Sequence, residues 1–119
     1  MALVGIARRV ESIGYDILTV PDHFPKGLAP FSALATVAGA TERLRVGTFV
    51  VCNDSRHPVV LAKEAATLDL LSSGRIELGV GAGWLKDEYD AADISFERAG
   101  PDRADRRGDR ADPDAARAR

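Results

Sequence analysis

The sequence predicts an α/β fold built on a parallel β-sheet. Helical and strand-like segments alternate along the chain, with short links from helix to strand and longer loops from strand to helix. The clearest unit runs from Arg45 to Trp84, where two apolar strands flank a helix and each strand ends in a polar or glycine-rich corner. Because parallel strands point the same way, both corners should lie at the edge of the sheet where α/β proteins bind ligands.

Each predicted element has its own signal. Apolar residues recur every three or four positions in the helices, whereas the strands are short runs rich in apolar and β-branched residues. Pro30 and Pro58 fit the first turn of a helix, and Gly14 and Gly74 fit the end of one. The predicted helices span 3–14, 30–41, 58–71 and 85–89, and the predicted strands span 15–20, 45–51 and 75–81. Since the first element is a helix, we expect a strand to be missing ahead of it.

Composition argues against several classes of function. The formal net charge of −2 favours neither nucleic acid nor an anionic membrane surface. Cys52 is the single cysteine, which excludes an internal disulfide and fits a reducing cytosol. The apolar runs are far shorter than a membrane span, and the first residues lack a basic leader. We therefore predict a cytoplasmic protein that acts on a small molecule and binds neither nucleic acid nor membrane.

The composition changes sharply near the C-terminus. From Gly100 to Arg119 every residue is Gly, Pro, Ala, Asp or Arg, so no side chain there could build an apolar core. We predict a folded domain over residues 1–98 and a disordered tail over 99–119. An arginine-rich arm that binds nucleic acid is the alternative, but interleaved aspartates nearly cancel the positive charge.

Two polar pairs follow predicted strands and are candidate site residues. His23 can exchange protons near neutral pH, and the adjacent Asp22 can tune or orient it, although both would also fit a solvated loop. Cys52 and Asn53 end the next strand, where a thiol and an amide can face a ligand. The alternative is a buried Cys and a turn-forming Asn, and it is favoured for Cys52 because no helper base lies nearby in sequence, so nucleophilic catalysis is disfavoured.

The third strand ends in glycines that allow close approach to its backbone. The pattern from Gly79 to Gly83 is Gly-x-Gly-x-Gly, which differs from the dinucleotide pattern Gly-x-Gly-x-x-Gly and argues against a nicotinamide fold. A flat ligand, a phosphate or a closely packed neighbouring strand would each fit these glycines. His57 is predicted in a helix-cap region, and with His23 it is too sparse a set for a metal site, so we predict none.

Five segments distributed over residues 1–97 carry a family resemblance. They are Gly14-Tyr15-Asp16, Val20-Pro21-Asp22-His23-Phe24, Arg56-His57-Pro58 with Leu61-Ala62-Lys63, the stretch from Thr67 to Arg75, and the stretch from Leu78 to Trp84. Together they resemble the luciferase-like monooxygenase superfamily, and within it the oxidoreductases that depend on the deazaflavin coenzyme F420. The resemblance implies a (β/α)8 barrel, of which this chain would hold about half, with barrel strands two to four. A truncated or frameshifted reading frame would account for the tail.

The resemblance also implies a site at the carboxyl ends of the strands. His23 would take the proton of a substrate hydroxyl while a hydride passes to F420, with FMN as the alternative cofactor. A backbone bulge with a cis non-proline peptide bond is expected near residues 51–53. Some relatives carry an acidic residue where Trp84 stands, so no acid role is transferred. The residues expected to contact the cofactor are Asp22, Val51, Cys52, Asn53, Gly81, Ala82 and Gly83.

Three functions are compatible with the sequence. The first is F420-dependent hydride transfer by an oxidoreductase, here as a fragment expected to be inactive alone. The second is an FMN-dependent monooxygenase that activates oxygen. The third is a non-catalytic half barrel whose open strand edges and apolar helix faces would favour homo-oligomers.

Overall fold

The computed structural model describes residues 2–24 and 26–96, and it confirms the predicted alternation of helices and strands. The predicted boundary at residues 98–99 and the tail beyond it lie outside the described residues. Pro30 and Pro58 begin their helices as expected. The elements are α1 (Ala2–Ser12), β1 (Ile17–Val20), α2 (Pro30–Ala40), β2 (Arg45–Cys52), a 3-10 helix (Asn53–Ser55), α3 (Pro58–Leu71), β3 (Ile76–Gly81) and α4 (Lys86–Ala91).

The three described strands form one sheet in the order β1-β2-β3, and both pairings are parallel, as predicted. Ile17 lies opposite Arg45, and Val46 lies opposite Ile76. Since all three strands point the same way, their carboxyl ends share one edge of the sheet.

A bulge interrupts β2 close to that edge. Thr48 pairs with Leu78 but Val51 pairs with Val80, so β2 has one more residue than β3 between these two pairings. A cis peptide bond joins Phe49 to Val50 within the bulge. This cis peptide bond lies just before the predicted position at residues 51–53. It is inside β2, because the strand resumes its pairing with β3 at Val51, after the bulge.

The helices cover one face of the sheet. Helix α2 contacts β1 and β2, helix α3 contacts β3, and α1 and α3 both contact α2. Leu34 and Val37 of α2 are fully buried against Val46 of β2, which places α2 at the centre of the core. Ile6, Ile13 and Leu71 follow the apolar spacing of the predicted helices, but each is more than half exposed. None of the helices in the described part of the chain combines the length and apolar character needed to cross a membrane.

Arg75 connects the end of α3 to the end of α2. Its guanidinium donates hydrogen bonds to the carbonyl oxygens of Ala38, Leu44 and Ser72 at 2.9, 2.9 and 2.6 Å, and to the Thr41 hydroxyl at 3.2 Å. The Ala38 carbonyl is in the last turn of α2, where carbonyl groups lack partners within the helix and a cation complements the helix dipole. The Ser-Ser-Gly-Arg segment at 72–75 therefore has a structural role in this chain.

Glu11 holds the turn between α2 and β2 to helix α1. Its Oε1 accepts the backbone N–H groups of Glu42, Arg43 and Leu44 at 2.9, 2.6 and 2.9 Å. The hydrogen bonds from Arg43 and then Leu44 hold the pKa of the Glu11 carboxyl below its ordinary value of 4.5. Folding therefore favours the ionised form of Glu11.

We expect Glu11→Gln to flatten the dependence of stability on pH in the acid range. The lowered folded-state pKa contributes stability that is complete above the unfolded value of 4.5 and is lost as the pH falls below it. Thermal unfolding midpoints measured from neutral pH into the acid range test this, with Glu42→Gln as the charge-matched control, because only the backbone of Glu42 contacts Glu11. Equal slopes for wild type and Glu11→Gln would contradict the assignment.

Candidate functional site

A cavity of about 390 Å³ opens at the carboxyl ends of the strands. Phe24, Phe49, Val50 and Trp84 supply apolar surface, and His23 and Glu88 are among its polar lining residues. A larger hollow of about 590 Å³ lies between α2 and α3, but Lys63 and Glu64 are its only titratable lining residues among those described. We take the smaller cavity as the candidate site because it combines apolar walls with a histidine and a carboxylate.

Asp22 holds two loops together beneath this cavity. Its side chain is only 4% exposed, and its two carboxylate oxygens accept hydrogen bonds from the Arg56 guanidinium, one of them at 3.1 Å. The backbone N–H of Cys52 also donates to Asp22 Oδ2 at 2.9 Å. The loop after β1 is thereby tied to the segment after β2. Asp22 contributes to the cavity wall, but its carboxylate already has partners within the chain.

His23 is paired with Glu88, which was not among the predicted site residues. Its Nδ1 lies 2.9 Å from Oε1 of Glu88 in helix α4. The carboxylate beside the histidine was expected to be Asp22, but Asp22 binds Arg56 instead. The His23 side chain is 40% exposed and the Glu88 side chain 15% exposed, so the pair lies at the border between cavity and solvent.

Tyr89 fastens helix α4 to the end of the sheet. The residue is 6% exposed, and its hydroxyl lies close to the carbonyl oxygen of Ala82, 3.2 Å from Asp54 Oδ2 and 3.4 Å from Cys52 Sγ. Its ring packs edge to face on Phe96, with 4.9 Å between the ring centroids. Burial, and then the hydrogen bond with Cys52, raises the pKa of the Tyr89 hydroxyl far above its ordinary value of 10.0. Tyr89 therefore stays protonated as a hydrogen-bond donor.

Two of the predicted glycines have close neighbours in the structure. A Cβ atom on Gly81 would lie 2.6 Å from Val50 Cγ2, so close packing against the β2 bulge accounts for this glycine. Gly83 has a φ of +76°, and a Cβ there would lie 2.1 Å from the Tyr89 hydroxyl oxygen. Glycine at position 83 thus permits both the left-handed backbone and the buried tyrosine.

We expect Gly83→Ala to destabilise the fold by about 2 to 4 kcal/mol, because it adds left-handed strain and displaces Tyr89. Gly5→Ala is the matched control, since a Cβ atom at that position on helix α1 would meet no other atom within 4 Å. Urea unfolding of both variants, with hydrogen exchange of the α4 amides, measures the effect. Equal stability of the two variants would show that Tyr89 does not depend on Gly83.

The structure brings most of the predicted site residues together. The catalytic candidate His23 lines the cavity. Five of the residues proposed to contact the cofactor also line it, namely Asp22, Cys52, Gly81, Ala82 and Gly83. Val51 is fully buried and does not line it, and Asn53 lies in the 3-10 helix outside the lining. Glu88 and Tyr89 were missed as site residues, although the short helix that carries them was predicted.

Comparisons with known proteins identify the family of this chain. A family model described as luciferase-like monooxygenase matches residues 2–111. The chain belongs to this family. The F420-dependent glucose-6-phosphate dehydrogenase of Amycolatopsis mediterranei is 42% identical over 89 residues, which cover 68% of this chain and 27% of that protein. The chain spans about a quarter of the length of the curated relatives it matches.

Two solved structures of luciferase-like enzymes extend the comparison to the fold. The monooxygenase RslO1 from Streptomyces bottropensis matches with a TM-score of 0.74 and 31% identity, over 79% of this chain and 30% of that one. The coenzyme F420-dependent tetrahydromethanopterin reductase from Methanopyrus kandleri matches with a TM-score of 0.72 and 26% identity, over 80% and 27% of the two chains. The described residues therefore form part of a (β/α)8 barrel, as the resemblance implied.

Proposed function

We propose that this luciferase-like chain supplies the coenzyme-ring corner of an F420-dependent oxidoreductase that takes a hydride from a small hydroxyl-bearing substrate. The observation that carries the proposal is His23, which lines the apolar cavity with Nδ1 held by Glu88. Its Nε2 has no hydrogen-bond partner among the described residues. The similarity to F420-dependent enzymes in sequence and in fold supports the choice of coenzyme.

The cavity suits a flat, largely apolar ring. Its volume of about 390 Å³ lies within the range of about 300 to 1,000 Å³ that is usual for small-molecule sites. Phe49, Val50 and Trp84 supply apolar surface, and the backbone of Gly81 and Ala82 contributes lining without large side chains. A deazaflavin bound there would supply a two-electron acceptor for a hydride.

His23 would act as the general base. Its Nε2 takes the proton of the substrate hydroxyl while the carbon-bound hydrogen leaves with its electron pair, so the carbon–oxygen single bond becomes a carbonyl. The O–H and C–H bonds break, the substrate is oxidised by two electrons, and the proton passes from His23 to solvent. Phe24 and Leu85 line the same cavity and help to exclude water from the reacting atoms.

The charges around the cavity predict weak binding of the coenzyme by this chain. No lysine or arginine lines the cavity in the part of the chain that the structure describes. Arg56, the nearby cation, is paired with Asp22, and both Asp22 and Glu88 line the site. Phosphate groups would find no charge-assisted partner there, and each such hydrogen bond is worth about 1.5 to 3 kcal/mol. We therefore expect a dissociation constant weaker than about 10 μM.

An FMN-dependent monooxygenase is the second candidate function. The observation that favours it is the similarity to the monooxygenase RslO1, which has a higher identity to this chain than the F420-dependent reductase has. The two functions differ in the cofactor they need, because a flavin can activate oxygen for monooxygenation whereas a deazaflavin cannot.

The test is a parallel titration of the 119-residue chain with F420 and with FMN, followed by the fluorescence of each cofactor. We expect F420 to bind with a dissociation constant between about 10 μM and 1 mM and FMN to bind more weakly. Gly81→Val should abolish binding, because its side chain would collide with Val50 and displace that wall of the cavity, and Gly39→Ala, in open space on α2, is the control. Tighter binding of FMN would favour the monooxygenase, and no binding of either cofactor up to about 1 mM would overturn the site.

A further inference from the structure

The contact between His23 and Glu88 determines which ring nitrogen of the histidine can act as a base. We propose that Glu88 is a positioning residue that keeps the proton on Nδ1 of His23 and leaves the lone pair of Nε2 available to the cavity. The role in catalysis rests on the proposed function, whereas the state of the ring can be measured without any cofactor.

The hydrogen-bonding capacity of the two groups carries the inference. A carboxylate oxygen only accepts hydrogen bonds, so Nδ1, which lies 2.9 Å from Glu88 Oε1, must be the donor. A neutral imidazole has a single N–H, and its other nitrogen is then an acceptor. Since Nδ1 holds that hydrogen, Nε2 is the nitrogen that can take a proton from a substrate. When it does so, the Glu88 carboxylate stabilises the imidazolium that forms.

His23 and Glu88 each lie next to a buried residue that is fixed by its own contacts. His23 follows Asp22, which is fixed by Arg56 and by the backbone N–H of Cys52. Glu88 precedes Tyr89, whose hydroxyl contacts Cys52 at the end of β2 and Ala82 directly after β3. The two side chains, 65 residues apart in sequence, are therefore held at hydrogen-bond distance by separate structural contacts. An orientation fixed in this way reduces the rearrangement needed before proton transfer.

The second histidine of the chain provides an internal reference for measuring the tautomer of His23. His57, the other of its two histidines, caps α3, and its Nδ1 accepts the backbone N–H of Val59 at 3.3 Å. An accepting Nδ1 places the hydrogen of a neutral ring on Nε2. The structure therefore assigns opposite tautomers to the two histidines of one molecule.

The experiment is a long-range proton–nitrogen correlation spectrum of the 119-residue chain, with nitrogen-15 histidine and no cofactor. It is recorded about two units above the ordinary histidine pKa of about 6.5, where protonated and unprotonated ring nitrogens resonate far apart. The variants are Glu88→Ala, which removes the acceptor, and Glu88→Gln, which retains an acceptor oxygen. Asp87→Ala is the control, because it removes a carboxylate from the preceding position of the same helix.

We expect Nδ1–H for His23 and Nε2–H for His57 in the wild type. Glu88→Ala should shift most of the His23 population to Nε2–H, the form that free histidine prefers, and Glu88→Gln should restore Nδ1–H. His57 should keep its tautomer throughout, and Asp87→Ala should match the wild type. An Nε2–H form of His23 in the wild type, or one tautomer in all variants, would overturn the inference. If Glu88→Ala fails to fold, the wild-type spectrum still tests the inference, because an Nε2–H form of His23 there would overturn it.

The fluorescence titration with F420 on the same wild-type sample separates this inference from the proposed function. An Nδ1–H ring together with no F420 binding would support the role of Glu88 in fixing the tautomer and would count against the coenzyme. An Nε2–H ring together with F420 binding would overturn the role of Glu88 and leave the coenzyme site intact.

Discussion

Asp22→Ala is expected to destabilise the chain by about 3 to 5 kcal/mol, because it leaves Arg56 half-buried without its carboxylate and removes the acceptor of the Cys52 N–H. For a domain stabilised by about 5 to 15 kcal/mol, that loss is a large fraction of the total. Urea unfolding followed by circular dichroism measures it. Asp16→Ala is the matched control, since Asp16 is exposed in the same region of the chain, and a surface change of this kind is usually within about 0.5 kcal/mol.

A double-mutant cycle makes this prediction sharper. If the loss comes from an unpaired buried charge, adding Arg56→Ala to Asp22→Ala should recover part of the stability, because the unpaired cation is then also removed. Additive losses from the two substitutions would show that Asp22 and Arg56 act independently, contrary to the contacts in the structure.

Arg75→Ala is expected to cost about 3 kcal/mol, since it leaves carbonyl oxygens of Ala38 and Leu44 without their donor. Arg75→Lys should recover less than half of the loss, because one ammonium group cannot reach the separate acceptors that the planar guanidinium spans. The same urea unfolding measurement applies.

The control for Arg75 is a second arginine of the sheet, Arg45. It pairs with Glu77, but the two side chains are 52% and 46% exposed, so Arg45→Ala should cost less than about 1 kcal/mol. Similar losses for the two arginines would contradict the view that the partly buried Arg75 connects α2 and α3.

The fold could be predicted to a large extent because its signals are local. The prolines at the starts of α2 and α3 and the β-branched residues of β2 each specify an element from neighbouring residues. Parallel pairing then follows from the alternation of these elements. The faces of α1 and α3 were predicted less well. Ile6 and Leu71 have helical spacing but no described element covers them.

The site could be predicted only in part because its contacts are not local. His23 was identified from its place after a strand, which is a property of the sequence. Its pairing with Glu88 depends on how the segment after β3 folds back, and so does the burial of Tyr89. The choice of Arg56 as the partner of Asp22 likewise joins two loops that are 34 residues apart. The spacing of residues in the sequence does not predict contacts between segments so far apart.

The most direct test of the candidate site is to map the binding of F420 onto the backbone amides of the 119-residue chain by NMR. We expect added F420 to shift the amide signals of Cys52, Gly81 and Ala82, which line the cavity at the carboxyl ends of the strands. The competing location is the larger hollow between α2 and α3, which Phe31, Val59 and Thr67 line. Shifts confined to that hollow, or equal shifts in both places, would contradict the assignment of the site.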